Sequence, residues 1–339
     1  MRARWLSRFS RTIGAVAVTA GLLATAACGG SDKDTSAKDA TDDKGSAAVG
    51  AAFPRTVEHA MGKTEIKKAP KRVVALDMTF VDATLALKSQ IVGYTTFSSP
   101  DEKLPAYFGD DAGTYAGKAK PVGTLEEPSL EKIMALKPDL ILSAKVRHEK
   151  LYKQLSGIAP TVFTEDTGAT WKDNLKLVGK ALGKEKEADE KIAAYDKRAK
   201  TVGDEVRKKK GANPSVSVVR FVDGPTRLYK EDTYIGVIVK DLGLGKPEDA
   251  KGTGFNADIS EEQIKKVDAD DIFVTAYPDP KGASAKSREK FEANPLWKQL
   301  KGQVHEVDDT TWMLAVGVYG ANAVLDDVAK TYGVDAAKA

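Results

Sequence analysis

Cysteine and histidine are scarce in this 339-residue chain, and the scarcity excludes several classes of function. The single cysteine, Cys28, leaves no disulfide framework and no cysteine pair for a metal or redox site. The three histidines, His59, His148 and His305, lack the spacing that a zinc or manganese site needs, so each is predicted to be a surface residue. No GxSxG, HExxH or phosphate-loop motif is present, which argues against an enzyme.

The N-terminus has the pattern of an export signal. Four arginines within the first eleven residues precede an apolar run, residues 13–27, which is too short to span a membrane. The run ends in TAAC, so that small residues stand directly before Cys28. This arrangement resembles a bacterial lipoprotein signal, in which the cysteine is acylated and becomes the new N-terminus, although Thr25 stands where leucine is usual. A plain secretory signal with an incidental cysteine is the alternative.

A polar, charged segment follows, and residues 28–52 are predicted to be a disordered tether. Removal of residues 1–27 takes away four arginines and no acid, so 48 basic residues then face 49 acidic ones and the formal charge changes from +3 to about −1. The basic character therefore belongs to the signal, and no nucleic-acid partner is predicted. We expect a protein outside the cytoplasm, held on the cell membrane by lipid.

The rest of the chain alternates strands and helices in two stretches, which predicts two α/β lobes with mainly parallel sheets. The first lobe is assigned to residues 53–183 and the second to residues 212–339. Between them, residues 184–211 are predicted to form one long, highly charged bridging helix. The Gly-, Pro- and Tyr-rich stretch from Thr96 to Val122 is predicted to be a surface loop.

A short repeat relates the two lobes. SLEKIMALKPDLIL, which begins at Ser129, aligns without a gap on SEEQIKKVDADDIF, which begins at Ser260, with five identities in fourteen positions. Both copies have a serine that can cap a helix, an acid in the first helical turn and an aspartate before an apolar strand. The two lobes are thus predicted to share the same helix–strand arrangement.

The order of these segments resembles a known family. KRVVAL, EPSLEKIMALKPDLIL, IAPTV, VSVVRF, YIGVIVKDLGL, NPLWKQLKGQVHEVD and WMLAVGVYGANAVLDDV are similar to segments of substrate-binding lipoproteins of ABC importers. The likeness runs from Phe53 to Val334 and is to the branch with two lobes bridged by one helix, which binds iron–siderophore complexes, haem and cobalamin. PRTVEHAMGKTEIKKAPKRVV and SAKVRHEKLY most resemble binders of iron–siderophores, particularly hydroxamates such as desferrioxamines. The resemblance implies capture without catalysis, by a monomer that has no cofactor.

Ligand contacts are expected between the lobes, just past the ends of the strands. The candidates in the first lobe are Met78, Thr79, Phe80, Phe97, Leu125, Glu126, Lys145 and Arg147. Those in the second lobe are Arg220, Tyr229, Tyr234, Tyr277 and Trp312. Aromatic walls and a few hydrogen-bond donors suit a large organic complex, whose own oxygens already surround the iron, so no protein metal ligand is predicted.

Arg147 and Arg220 are the strongest candidates because a guanidinium can donate two hydrogen bonds to hydroxamate or carbonyl oxygens. Arg220 interrupts an apolar strand, where a charge needs a cleft or an ion pair, such as one with Asp223 or with an acid on the bridging helix. For Arg147 the alternative is a solvated loop, and Tyr277 and Trp312 could each be core residues. Few other cations lie near these loops, which favours ferric hydroxamates over trianionic tris-catecholate complexes.

The resemblance also implies a docking role for the repeated acids. In the family, one exposed carboxylate on each lobe meets arginines of the permease, and the matching residues here are Glu131 and Glu262. An acid in a first helical turn also complements the helix dipole, so both roles are compatible.

Three alternatives stay open at this point. The same fold binding haem or cobalamin is one, because a tyrosine can ligate haem iron. A membrane-anchored enzyme and a structural or adhesive lipoprotein are the others.

Overall fold

The computed structural model describes residues 53–97 and 103–338, which belong to one compact unit. The predicted signal peptide, Cys28 and the predicted tether lie outside these residues. Within the described part of the chain, no helix has the length and apolar character needed to cross a membrane.

The first lobe is built on a five-stranded sheet in which every strand pair is parallel, in the order β5-β4-β3-β6-β7. A separate antiparallel hairpin, β1–β2, packs on β7, where the amide of Ala60 donates to the carbonyl of Phe163. The elements are β1 (Arg55–His59), β2 (Gly62–Ile66), β3 (Val73–Ala75), α1 (Met78–Ala86), β4 (Ile91–Thr96), α2 (Asp110–Ala116), β5 (Lys120–Thr124), α3 (Leu130–Ala135), β6 (Leu140–Ala144), α4 (Lys145–His148), α5 (Tyr152–Ile158), β7 (Thr161–Thr164) and α6 (Trp171–Leu182).

The prediction of a surface loop from Thr96 to Val122 is wrong for most of its length. A 3₁₀ turn at Ala106–Phe108, helix α2 and the start of edge strand β5 occupy residues 106–122. Phe108 is buried in the core, which explains why this polar-looking segment is ordered against the lobe.

The bridging helix α7 runs from Glu185 to Lys210, one residue shorter at each end than the predicted segment. Its 26 residues span about 39 Å. Gly211 ends it in the left-handed conformation (φ 70°), which is the usual C-terminal cap for glycine. One face of the helix carries an apolar stripe, and its members Ala188, Ile192, Tyr195, Ala199 and Val202 are buried. The long helix is therefore confirmed, while the lobe boundaries beside it stay predictions.

The second lobe has a five-stranded sheet in the order β10-β9-β8-β11-β12. Strands β8, β11 and β12 are parallel, and β9 is antiparallel to both of its neighbours. The elements are β8 (Val216–Phe221), β9 (Thr226–Tyr229), α8 (Tyr234–Asp241), β10 (Asn256–Ile259), β11 (Asp271–Ala276), α9 (Ala283–Ala293), β12 (Gln303–Glu306) and α10 (Val318–Tyr332). Strands β9 and β10 and helix α9 were not predicted from the sequence.

The repeat has a structural counterpart at the start of the strands. The Asp139 carboxylate accepts hydrogen bonds from the amides of Lys71 and Arg72, both at 2.8 Å, and so ties the start of β6 to that of β3. Asp270 accepts from the amide of Ser215 at 2.7 Å and ties β11 to β8 in the same way. The two units differ in one respect, because the second helical segment, Glu261–Val267, is 3₁₀.

Helix α10 returns from the second lobe and packs on α7 and on α1 of the first lobe. The segment before it is held from both sides. Thr79 of α1 donates its hydroxyl to the carbonyl of Val316 at 2.6 Å, and Tyr234 of α8 donates to the carbonyl of Gly317 at 2.8 Å. Because α1 follows the carboxyl end of β3, this edge of the first sheet meets the loop that follows β12 of the second.

Candidate ligand-binding site

Arg147 lies at the carboxyl edge of the first sheet, in the short helix α4 that follows β6. Its Nε donates to Asp77 at 2.9 Å, and its side chain keeps 39% of its surface exposed. Asp77 follows β3, is buried, and also caps α1 by accepting from the amide of Thr79. The guanidinium is thus anchored to Asp77 through Nε, and one of its terminal nitrogens donates to the hydroxyl of Thr167 at 3.4 Å.

Arg220 lies near the carboxyl end of β8 and is more enclosed. Its Nε and one terminal nitrogen donate to the two carboxylate oxygens of Asp309, at 2.7 and 2.6 Å. Burial by itself would lower the pKa of Arg220, but its hydrogen bonds to Asp309 raise the pKa above the ordinary guanidinium value. Arg220 therefore stays charged, and the expected partner is corrected from Asp223 or a bridging-helix acid to Asp309.

The remaining nitrogen of Arg220 is near two tyrosines. Its guanidinium lies 5.2 Å from the ring centre of Tyr277, within the range of a cation–π contact, and 3.4 Å from the hydroxyl of Tyr229. Tyr277 follows β11 and is half-buried. Arg220 and Tyr277 together form a buried charged group in contact with a partly exposed aromatic residue.

Several predicted ligand contacts are buried in this structure, namely Thr79, Phe80, Tyr229, Tyr234 and Trp312. Trp312 stacks on Phe273 with ring centres 4.7 Å apart and donates its indole N–H to Asp327. An aromatic residue past a strand end can point inward as easily as outward, and these four aromatic side chains are buried. Their role in ligand binding stays a prediction.

The other strand-end candidates of the first lobe have mixed positions. Met78 and Leu125 are buried, Phe97 packs partly buried against the core, and Glu126 is exposed. Lys145 pairs with Glu165 at 2.8 Å.

His148 is buried, which corrects the prediction that all three histidines lie on the surface. Its Nδ1 is 2.7 Å from the hydroxyl of Ser143, and its Nε2 is 2.7 Å from the carbonyl of Leu125. Burial lowers the pKa of His148, so the ring is neutral near pH 7, with Nε2 donating to the carbonyl. It ties the loop after β5 to α4, next to Arg147.

Glu131 and Glu262 occupy equivalent positions at the surface. Each lies in the first turn of the helical segment that follows an edge strand, β5 or β10, and each is exposed. Neither forms an ion pair with another described residue, whereas Glu261 pairs with Lys290.

Among residues 53–97 and 103–338, no group of three or more His, Cys, Asp or Glu side chains could hold a metal ion. A hollow of about 220 Å³ lies at the carboxyl edge of the second sheet, lined by residues that include Ala276, Val307 and Asp309.

Sequence reasoning missed the two acids that position the arginines. Asp77 follows β3 in VVALD, and Asp309 comes shortly after β12 in VHEVDD, so both stand where parallel strands deliver their carboxyl ends. That position was the available signal. No signal in the sequence indicated which arginine each acid would pair with, because the partners lie 70 and 89 residues apart.

The comparisons with known proteins agree with this architecture. The model of the periplasmic binding protein family matches residues 73–302. YfiY of Bacillus subtilis (strain 168), named a probable siderophore-binding lipoprotein, is 38% identical over 314 residues, which cover 88% of this chain and 93% of YfiY. The Fe(3+)-citrate-binding protein YfmC of the same organism is 33% identical over 285 residues, covering 81% of this chain and 85% of YfmC.

Solved structures give the same result. SirA of Staphylococcus aureus, complexed with staphyloferrin B, aligns with a TM-score of 0.74 and 34% identity over 83% of this chain and 99% of SirA. FeuA of Bacillus subtilis, a triscatecholate siderophore-binding protein complexed with ferri-bacillibactin, aligns with a TM-score of 0.67 and 26% identity over 82% of this chain and 98% of FeuA. The chain therefore belongs to the periplasmic binding protein family, whose members bind solutes, and its two α/β lobes bridged by α7 are the family's bilobal fold.

Proposed function

We propose that this protein captures a ferric siderophore between its lobes and delivers it to an ABC permease. The relatives named for iron–siderophore or iron–citrate binding support the general ligand class. The main structural support for a ligand site between the lobes is that each lobe holds one anchored arginine, Arg147 or Arg220, at the carboxyl edge of its sheet.

We further propose that the ligand is a hydroxamate complex. Each arginine is already matched by one acid, Asp77 or Asp309, so the pairs add hydrogen-bond donors but no net positive charge. A ferric tris-catecholate carries three negative charges and would need several unmatched cations to offset its desolvation. Ferric trihydroxamates are near neutral or cationic and suit matched arginines beside a half-buried aromatic residue such as Tyr277.

Tryptophan fluorescence of the unacylated chain, residues 29–339, tests the proposal with a panel of ferric hydroxamate, ferric citrate, ferric tris-catecholate, haemin and cobalamin. We expect saturable quenching by a ferric hydroxamate, weakened about tenfold by Arg147→Gln because one charged hydrogen bond is lost. Lys150→Gln, a change of the same charge on an exposed α4–α5 residue, should leave the affinity unchanged.

Two outcomes contradict the proposal at different levels. Saturation by the citrate or catecholate complex and not by a hydroxamate would contradict the ligand class alone. Absence of quenching by every member of the panel up to tens of micromolar would contradict siderophore capture.

We propose that Glu131 and Glu262 dock the loaded protein on the permease. Both are exposed and unpaired within the described residues, and they stand at equivalent places on the two lobes. Alanine at both positions should leave siderophore affinity intact and reduce uptake by cells, while the exposed acids Glu149 and Glu289, changed in the same way, serve as the control. A loss of ligand affinity in the Glu131/Glu262 variant would contradict a docking role.

We also propose that Cys28 carries the lipid anchor on the extracytoplasmic face of the membrane. The relatives named as lipoproteins support this. Cys28→Ala should move the protein from the membrane fraction to the soluble fraction, and retention in the membrane would contradict the anchor.

A further inference from the structure

The edge of the first sheet opposite to the candidate site is strongly basic. All five strands of this sheet are parallel, so their amino ends lie together at one edge. The segments that lead into these strands contribute seven exposed cationic side chains, which we call the basic edge: Lys67, Lys68, Lys71, Arg72, Lys118, Lys120 and Lys137. The same segments and the end of β2 contain two acids, Glu65 and Asp139.

The basic edge is not neutralised within the described structure. Lys67, Lys68 and Lys71 form no ion pair with any described residue, and the carboxylate oxygens of Asp139 are taken by two backbone amides. The three lysines border a hollow of about 570 Å³ between the hairpin and the sheet. A lysine ammonium on a flexible stem is a compact donor for phosphate oxygens, so the hollow has the charge and the donors to receive a phosphate group.

The N-terminal part of the chain joins the fold beside this hollow. In the β1–β2 hairpin Arg55 pairs with Ile66, which borders the hollow directly before Lys67. The 25 residues from Cys28 to residue 52 can span at most about 90 Å. The proposed lipid anchor would therefore hold the membrane within reach of the basic edge.

We propose that the basic edge binds anionic phospholipid headgroups of the membrane. Charge complementarity and the neighbouring point of chain entry both favour a lipid surface. Such binding would hold the first lobe against the bilayer between encounters with the permease. The proposal uses the lipid anchor only for proximity, so it is tested without acyl groups and separately from siderophore capture.

Co-sedimentation of the unacylated chain, residues 29–339, with vesicles tests the proposal. We expect binding to phosphatidylcholine vesicles that contain phosphatidylglycerol, reduced by added salt, and weak binding to phosphatidylcholine alone. Lys67→Gln/Lys68→Gln/Lys71→Gln should lower the partition coefficient at least about tenfold, since each lysine near an anionic surface contributes to attraction.

The matched control removes the same charge from the same lobe. Lys150→Gln/Lys153→Gln/Lys176→Gln changes three exposed lysines away from the hollow and should retain most of the binding. Both triple variants should bind the siderophore as the wild type does. Equal binding to the two kinds of vesicle would overturn the proposal, and so would equal loss in the two variants, because that would reflect net charge alone.

Discussion

Asp82→Asn tests the polar junction between the lobes, where a buried carboxylate of α1 meets the first turn of α10. Asp82 accepts hydrogen bonds from the amides of Val318, Tyr319 and Gly320, at 2.7, 3.0 and 3.3 Å. It is fully buried, and burial raises its pKa to about 7 although the three amides oppose the rise. Gly317 is required beside it, because a methyl group there would overlap the carboxylate.

The raised pKa fixes the sign of the pH dependence. Between the ordinary aspartate pKa of 3.8 and about 7, the folded state binds a proton that the unfolded state releases. This contribution to stability is complete below pH 4 and is lost as the pH rises through 7. The difference between the folded and unfolded pKa values corresponds to about 4 kcal/mol of unfolding free energy, at about 1.4 kcal/mol per pH unit.

Among the described residues, the titratable side chains that interact with this carboxylate are tyrosines, whose ordinary pKa lies well above that window. Tyr107 and Tyr234 lie near it, and burial raises the pKa of each well above the ordinary tyrosine value. Burial also raises the pKa of Tyr319. Asparagine does not titrate, so the difference in unfolding free energy between wild type and Asp82→Asn isolates this one group.

Urea unfolding at pH 4 to 8 measures the difference. The amide places an N–H group against the α10 amides, a cost that does not change with pH. We expect the wild type to lose up to about 4 kcal/mol relative to the variant between pH 4 and 8. A difference that stays constant or moves the other way would refute the reasoning, because it would mean that the helix amides, and not burial, control Asp82.

Two further changes test the packing of α7 and the pairing of Arg220. A methyl group at Gly203 would overlap the Leu242 carbonyl at the end of α8, so Gly203→Ala should lower the unfolding free energy by about 2 kcal/mol, whereas Gly157→Ala, in open space, should not lower it. Equal stability of both variants would contradict the close contact. Asp309→Ala leaves a buried Arg220 unpaired and should cost about 3–5 kcal/mol in urea unfolding, and a loss below about 1 kcal/mol would mean that the guanidinium reaches water.

Local patterns predicted the framework of this protein well. The bridging helix has an apolar stripe at helical spacing and a glycine at its end, and its bounds were predicted to within one residue. The helix–strand repeat was visible because each capping serine acts within its own helical turn and each strand-starting aspartate acts on the adjacent strand. Helix α9 was missed because its sequence, ASAKSREKFEA, buries only Ser284 and Phe291 and has little apolar periodicity.

Side-chain partners across the fold could not be predicted in the same way. The position of Arg220 at a strand end could be read from SVVRF, but its choice of Asp309 over the nearby Asp223 depends on how β12 pairs with β11. The burial of His148 could not be predicted for the same reason, because it depends on the path of the loop after β5, whose Leu125 carbonyl the ring contacts. Strand ends therefore predict where a site is, and tertiary packing decides which side chains reach it.

The return of α10 to the first lobe has a consequence for biosynthesis. All nine residues of α1 are buried, and part of their cover is helix α10, whose Val318 follows Asp82 by 236 residues. During synthesis α1 leaves the ribosome before α10, so Asp82 has no helix to cap until α10 follows. The first half of the chain must therefore wait for the second before α1 is covered.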